Sequence, residues 1–235
     1  MSDTIAIMQP TYIPWLGYLA MINRVTHFVF LDNVQFDKRS WQQRNRIKNA
    51  QGELWLTIPV FSKKKFHQKI SEVTCQDLSE TIKKHLSTIK HSYKKAKEYN
   101  SFYPFLEKTI FEAGSIANEK ISEFNIYIIE KLCAYAGIKN KFYLASQLEC
   151  SGTKDDLLSN ICTYFGAKQY ISPPGSMSYL ENSYYFKNID IVYHYYNEPE
   201  YEQLYGNHIK NLSCLDAFFS IPQEKLKNFI MEGVA

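Results

Sequence analysis

Ile5-Ala6-Ile7-Met8-Gln9-Pro10-Thr11-Tyr12-Ile13-Pro14-Trp15-Leu16-Gly17-Tyr18 is the stretch whose reading decides the fold. It opens with a short apolar run suited to a strand buried on both faces. Residues 15–25 continue with amphipathic, helical spacing, and His27-Phe28-Val29-Phe30-Leu31-Asp32 is a second apolar run. Strand, loop, helix, strand is the opening unit of a parallel sheet. In such sheets ligands sit beyond the carboxyl ends of the strands. Gln9, Tyr12 and Asp32 stand at that edge.

Outward from this unit, residues 33–47 are polar and aromatic. Residues 44–60 read as a hairpin with its turn in Asn49-Ala50-Gln51-Gly52-Glu53. Ser62-Lys63-Lys64-Lys65 reads as a solvated loop and residues 70–73 as a short strand. Helical spacing runs over residues 77–99, with Asp77 or Ser79 as cap and Lys83, Lys84, Lys90, Lys94, Lys95 and Lys97 on the outer face. Further helices are expected at residues 103–112, at 116–136 with Gly137 as the stop, and at 156–165. Strands are expected at 141–145, 169–172 and 189–195, and short helices at 215–219 and 223–231. This order argues for an α/β chain, residues 1–235 forming one domain with a mainly helical insertion at about 77–137.

Composition narrows the function. The chain has 235 residues, 45% of them hydrophobic, enough for a core. A net charge of +3 implies no nucleic-acid partner. Cys75, Cys133, Cys150, Cys162 and Cys214 are scattered without a C-x-x-C pair, as in a reducing compartment. No signal peptide and no stretch near the roughly 20 apolar residues of a membrane helix is visible. The expectation is a cytoplasmic protein that does not insert into membranes. No His or Cys set has metal-ligand spacing, so neither a metal nor a cofactor is expected.

The loop after the first apolar run lacks a Gly-x-Gly-x-x-Gly fingerprint and a Walker loop. It still leads into a helix N-terminus, which can meet an anion with backbone N–H groups. Pro10 and Pro14 stiffen it and Trp15 offers a flat surface for a sugar or base; alternatively these residues seal the sheet end. Asp32 suits a base or an orienting carboxylate, or a structural bridge to Arg44 or Arg46. Arg39, Arg44 and Arg46 around Trp41 suit a diphosphate beside a stacked ring, or an ordinary exposed hairpin. His85, next to Lys84 and the apolar position Leu86, would carry a lowered pKa and serve as a neutral base. Cys162 has core-like neighbours. Ser172-Pro173-Pro174-Gly175-Ser176 leaves a strand with hydroxyls and a glycine suited to close approach of a ligand, or to a plain turn.

Several of these stretches together carry a resemblance. Gln9 to Tyr18, Phe28 to Phe36, Lys38-Arg39-Ser40-Trp41 with Arg44-Asn45-Arg46-Ile47, and Trp55 to Val60 strongly resemble the WbqC-like family. So do Lys84-His85-Leu86, Tyr170-Ile171-Ser172 with Gly175 and Tyr179-Leu180, Tyr201 with Gln203, and Leu212 to Asp216. The resemblance spans residues 5 to about 220. It implies a cytoplasmic enzyme of surface-polysaccharide (O-antigen, lipopolysaccharide) sugar biosynthesis. The reaction it implies is transfer of an acyl or aminoacyl group, such as glycyl, onto the amine of a nucleotide-linked amino sugar. Carried onto this chain, the catalytic residues are His85 and Asp32. The substrate-binding residues are Gln9, Tyr12, Trp15, Arg39, Trp41, Arg44, Asn45, Lys84, Ser172, Gly175, Ser176 and Tyr179. An acidic acyl carrier protein would dock on the Lys-rich helix as donor; a CoA thioester is the other donor form.

The opening unit is also similar to the start of nucleotidylyltransferase-type Rossmann enzymes. Trp15-Leu16-Gly17-Tyr18 stands where those carry their histidine signature. The fold expected is therefore Rossmann-like: a mostly parallel sheet with a β-hairpin and a helical insertion. Nucleotidylyl transfer or adenylate formation, and a non-catalytic sugar-nucleotide binding protein, are the alternative functions.

Overall fold

A computed structural model describes residues 3–63 and 65–235; Met1, Ser2 and Lys64 of the Ser62-Lys63-Lys64-Lys65 loop lie outside the described residues. The strands are β1 (Thr4–Met8), β2 (His27–Phe30), β3 (Arg44–Asn49), β4 (Gly52–Thr57), β5 (Lys141–Leu144), β6 (Gln169–Ser172) and β7 (Asp190–Tyr193). Five of them make one sheet in the order β5-β2-β1-β6-β7, every pair parallel. β3 and β4 form the separate antiparallel hairpin. The fold is the Rossmann-like α/β arrangement expected.

The apolar runs explain the layering. Alternate side chains of a strand face opposite sides, so a strand apolar throughout is covered on both. Ala6 and Phe28 pack with α1 (Leu16–Arg24), α2 (Leu78–Tyr93), α3 (Tyr99–Ile116) and α4 (Ile121–Tyr135) on one face. Ile5, Ile7 and Val29 pack with α5 (Lys154–Tyr164) and with Leu180 of the single turn α6 (Met177–Leu180) on the other. From β1 the chain moves outward through β2 to β5, then returns to lay β6 on the free side of β1. The gap between the carboxyl ends of β1 and β6 is thus the topological switch point, where such sheets bind ligands.

Four boundaries differ from the sequence reading. Residues 70–72 form a 3-10 turn instead of a strand: Glu72 N donates to Lys69 O (3.0 Å) and Val73 N to Ile70 O (3.2 Å), and the adjoining β pairing is limited to the single antiparallel bridge of Gln35 with Lys69. The helix over 77–99 stops at Tyr93; the Glu98 amide donates to Phe219 O, and the chain turns there to begin α3. α3 starts at Tyr99, ahead of Pro104, which sits inside it. Left-handed Asn118 (φ 45°) and Glu119 (φ 63°) break the expected 116–136 helix, so α4 begins at Ile121. Asp77 precedes α2 with φ 44° and makes no side-chain cap bond.

After β7 the chain crosses the sheet edge as an irregular strap, residues 194–214, before α7 (Leu215–Ser220) and α8 (Gln223–Glu232). Buried polar groups hold it. Lys48 Nζ donates to Gln203 Oε1 (3.1 Å) and Asn207 O (2.6 Å). Tyr93 Oη (2.8 Å) and Tyr201 Oη (3.0 Å) both donate to the Asp216 carboxylate, and Tyr93 Oη accepts from Lys48 N (3.0 Å). A buried carboxylate stripped of one donor loses more than a surface one would. Tyr93→Phe is therefore expected to lower unfolding free energy by about 2 kcal/mol in a urea titration with unchanged slope; an unchanged midpoint would remove this network from the account.

Candidate functional site

The loop between β1 and α1 is tied at nearly every residue. Tyr18 Oη donates to Gln9 O (3.0 Å), and Asn125 Nδ2 donates to Pro10 O (3.2 Å) and Gln42 O (2.7 Å). Tyr12 N donates to Trp41 O (2.8 Å), and Cys214 N to Pro14 O (2.8 Å). Asn45 Nδ2 donates to both Tyr12 O (3.2 Å) and Ile13 O (2.8 Å). Between those carbonyls Ile13 is fully buried with φ 41°. A β-branched residue in the left-handed region is strained by roughly 1–3 kcal/mol, and such strain persists only where surroundings over-determine it.

Two adjoining clefts open on this loop. The first, about 320 Å³, lies at the switch point and is walled by Met8, Gln9 and Thr11 on the β1 side and by Ser172, Gly175, Ser176 and Tyr179 on the β6 side. The second, about 410 Å³, has aromatic walls from Trp15, Tyr18 and Tyr196, with Asn45, Arg46 and Asn211. Met8, Thr11 and Trp41 line both. The Trp15 indole folds back on the first turn of α1: a Cβ on Gly17 would stand 2.3 Å from its ring. It then meets Tyr196 edge to face at 5.3 Å. A wider, solvent-open depression of about 610 Å³, lined by Thr163, Lys168, Tyr184 and Asn188 among others, lies at the opposite, amino-terminal edge of the sheet and away from the loop.

Among the described residues lining the two clefts, Arg46 alone carries a formal charge. Its Nη1 is held by Glu53 (3.1 and 2.9 Å) and its Nη2 by Asn211 O (3.0 Å), while Nε is buried without a partner. Thr11 Oγ1 and Tyr196 Oη are likewise buried and unpartnered. Such groups are uncommon in folded proteins. Beyond Trp41 the surface continues as a stack: Trp41 and Trp55 lie 5.5 Å apart, 48% and 43% exposed, with the Arg44 guanidinium 4.4 Å over Trp55.

The structure brings Gln9, Trp15, Trp41, Asn45, Ser172, Gly175, Ser176 and Tyr179 to the clefts. It places the other expected residues elsewhere. Tyr12 is buried beneath the loop, its Oη 2.8 Å from His85 Nδ1. His85 lines neither cleft; it props the loop from behind, and burial pushes its pKa down to about 4 against a backbone hydrogen bond at Thr57. Asp32, 3% exposed, accepts from Ser146 N (2.8 Å) and Ser146 Oγ (2.6 Å), and does not bridge to Arg44 or Arg46. Lys84 is exposed on α2, and Arg39 (φ 64°) is exposed on the loop before the hairpin. Arg44 sits on the Trp55 face outside both clefts. Cys162 is buried with its thiol pushed up to about 12, as suits a core residue. Ser172 Oγ and Ser176 Oγ bond each other (2.7 Å), and Ser176 also donates to Pro173 O (2.7 Å).

Thr11, Gln42, Tyr196 and Asn211 are among the lining residues that the sequence did not single out. Thr11 and Gln42 flank residues that were read, and signalled nothing by type. Tyr196 and Asn211 come from the irregular strap, whose lack of periodicity gave no register. Among the described residues no group of three or more His, Cys, Asp or Glu could hold a metal ion, and no helix is long and apolar enough to cross a membrane.

The sequence model of the WbqC-like protein family matches residues 9–228. The chain belongs to the WbqC-like protein family. The uncharacterized protein Rv1507c of Mycobacterium tuberculosis (strain ATCC 25618 / H37Rv) is 32% identical over 222 residues, 94% of each chain. No solved structure matches significantly. The loop and the strap residues Tyr196 and Asn211 all fall inside the WbqC-like match.

A pH signature follows from His85. Its folded pKa lies below the ordinary value of 6.5, so its stabilising effect is complete above pH 6.5 and fades as pH falls toward about 4. The stability advantage of the unaltered protein over His85→Gln is expected to shrink by up to about 3 kcal/mol across that window in urea unfolding. A pH-independent difference would show that His85 is not held neutral against the loop.

Proposed function

We propose that this WbqC-like protein is a transferase of bacterial surface-polysaccharide sugar biosynthesis, moving an acyl or aminoacyl group from a carrier-bound thioester to the amine of a nucleotide-linked amino sugar. The lining of the switch-point cleft carries this reading. Uncharged hydrogen-bonding groups (Gln9, Thr11, Ser172, Ser176) and the rings of Trp41 and Tyr179 suit a neutral, polyhydroxylated ring. The adjoining cleft and the Trp41, Trp55 and Arg44 stack suit a planar base and its phosphates. Resemblance to enzymes of O-antigen assembly supports the same substrate class.

The step asks little of protein acids and bases. The amine nitrogen bonds to the thioester carbonyl carbon, the C–S bond breaks, and the proton leaving nitrogen is taken by the departing thiolate. With His85 and Asp32 behind the clefts, the protein's contribution is to hold amine and thioester together and to meet the developing oxyanion. The exposed lysines Lys83, Lys84 and Lys90 on α2, with Lys94 and Lys95 just past its end, form the surface this reading gives to an acidic acyl carrier protein. The sparse charge of the clefts favours a second reading, a non-catalytic sugar-nucleotide binding protein. It disfavours nucleotidylyl transfer, since a triphosphate calls for several cations.

Incubation with uridine- and thymidine-diphosphate-linked 4-amino sugars and acyl or aminoacyl thioesters is expected to yield the amide. Trp41→Ala should lower kcat/KM by about tenfold through lost stacking. Tight binding with no product from any donor selects the binding protein, and pyrophosphate release from ATP selects an adenylate-forming enzyme.

A further inference from the structure

The polarity of the Gln9 amide is set by a chain of hydrogen bonds that begins on the backbone. An amide's oxygen and nitrogen cannot be told apart by shape, so their assignment must come from partners of known sense. Asp37 N can only donate, and it does so to the Gln42 side chain at 3.2 Å, which fixes that atom as Oε1. Gln42 Nε2 is thereby the atom facing Gln9, at 2.8 Å, and the Gln9 atom receiving it must be Oε1. Gln42 is 1% exposed and its N and O are also tied, to Ser40 Oγ (3.3 Å) and Asn125 Nδ2 (2.7 Å), so the amide has no room to turn independently. The neighbouring Gln43 repeats the device: its Oε1 accepts from Arg39 N (3.0 Å) and its Nε2 donates to Ile58 O (3.2 Å).

The consequence falls on the cleft. Gln9 Oε1 is committed to Gln42, and Gln9 Nε2 has no partner among the described residues while the residue stands half-buried in the switch-point wall. Two residues on, Thr11 Oγ1 is buried and unpartnered in the same wall. Opposite them Ser176 donates to Pro173 O, so Ser172 supplies the hydrogen of the Ser172 to Ser176 bond and neither hydroxyl has a proton left for a ligand. Gln9 Nε2 and Thr11 Oγ1 are thus uncommitted donors on the β1 side of the cleft, and among the described residues the half-exposed Tyr179 hydroxyl is the unbonded side-chain group of the facing Ser172 to Tyr179 wall.

We infer that Gln9, held in one orientation by Gln42 and the Asp37 amide, is the specificity-determining donor of the switch-point cleft and reads an acceptor oxygen of the ligand (a carbonyl, phosphoryl or developing oxyanion), with the Thr11 hydroxyl beside it. Gln42 is a positioning residue: it never needs to touch the ligand to decide which end of Gln9 the ligand meets. In the transferase reading that oxygen is the thioester carbonyl or a sugar substituent, and the inference shares with that reading the premise that this cleft is the ligand site.

The test has a ligand-free arm and a ligand arm. With glutamine side-chain amides labelled with nitrogen-15, the Gln42 amide hydrogens should exchange at least about 100-fold more slowly than those of Gln9. Faster exchange at Gln42 overturns the assignment. Gln42→Glu replaces the donor by an acceptor, so Gln9 must turn its Nε2 inward and present Oε1 to the cleft; its amide hydrogens should then become the protected ones. For a nucleotide-linked 4-amino sugar as probe, Gln9→Glu and Gln42→Glu should both weaken binding by about 100-fold in protein shown to be folded by circular dichroism, although Gln42→Glu leaves Gln9 in place. Affinity equal to the unaltered protein in both variants overturns the inference. If the unaltered protein binds no such probe, the nucleotide-sugar reading fails, while the exchange order still decides the amide orientation.

Discussion

The double hydrogen bond from Asn45 Nδ2 to the carbonyls of Tyr12 and Ile13 is the constraint on which the site depends. Each net bond to a buried carbonyl contributes about 1 kcal/mol, comparable to the strain of Ile13 at φ 41°. Neither element would hold its conformation alone. Asn45 is fixed in turn because its Oδ1 accepts from Arg46 N (2.8 Å), so the hairpin register and the loop conformation are one arrangement. The left-handed turn at Ile13 sends Tyr12 inward to His85 and leaves Thr11 and Trp15 on the cleft side.

That division of labour bears on the proposed chemistry. The two titratable side chains expected to do catalysis brace the scaffold, His85 behind the loop and Asp32 on Ser146, and a further buried carboxylate, Asp216, is held under two tyrosines. The clefts are left with amides, hydroxyls, rings and one guanidinium whose charge already faces Glu53. Such a site binds and orients through geometry more than through charge. A reaction that supplies its own proton acceptor, as thioester aminolysis does, fits it better than one needing a general base.

The sheet was legible because β1 and β2 are near-continuous apolar runs and the helices carry 3.6-residue spacing; β6, α1 and the hairpin fall where the sequence pattern puts them. The boundaries that moved did so for tertiary reasons, such as the capture of the Glu98 amide by Phe219 O. At the site, the stretch from Gln9 to Trp15 was readable as a polar loop after a buried strand. The direction of each side chain was not. Whether Tyr12 or Thr11 meets the ligand depends on the sign of φ at Ile13, which Asn45 decides from 32 residues away. Asp32 looked free only because its partner Ser146 lies 114 residues on. Tyr196 and Asn211 reach the cleft from a strap held by Lys48, a buried lysine that no sequence pattern distinguishes from its exposed neighbours.

The most direct measurement is a crystal structure of the protein grown with a saturating nucleotide-linked 4-amino sugar. The account predicts density across the carboxyl ends of β1 and β6, with the sugar between Gln9 and Ser176 and the base toward Trp41. Density at the amino-terminal edge around Thr163 and Asn188, with the loop cleft empty, would contradict it.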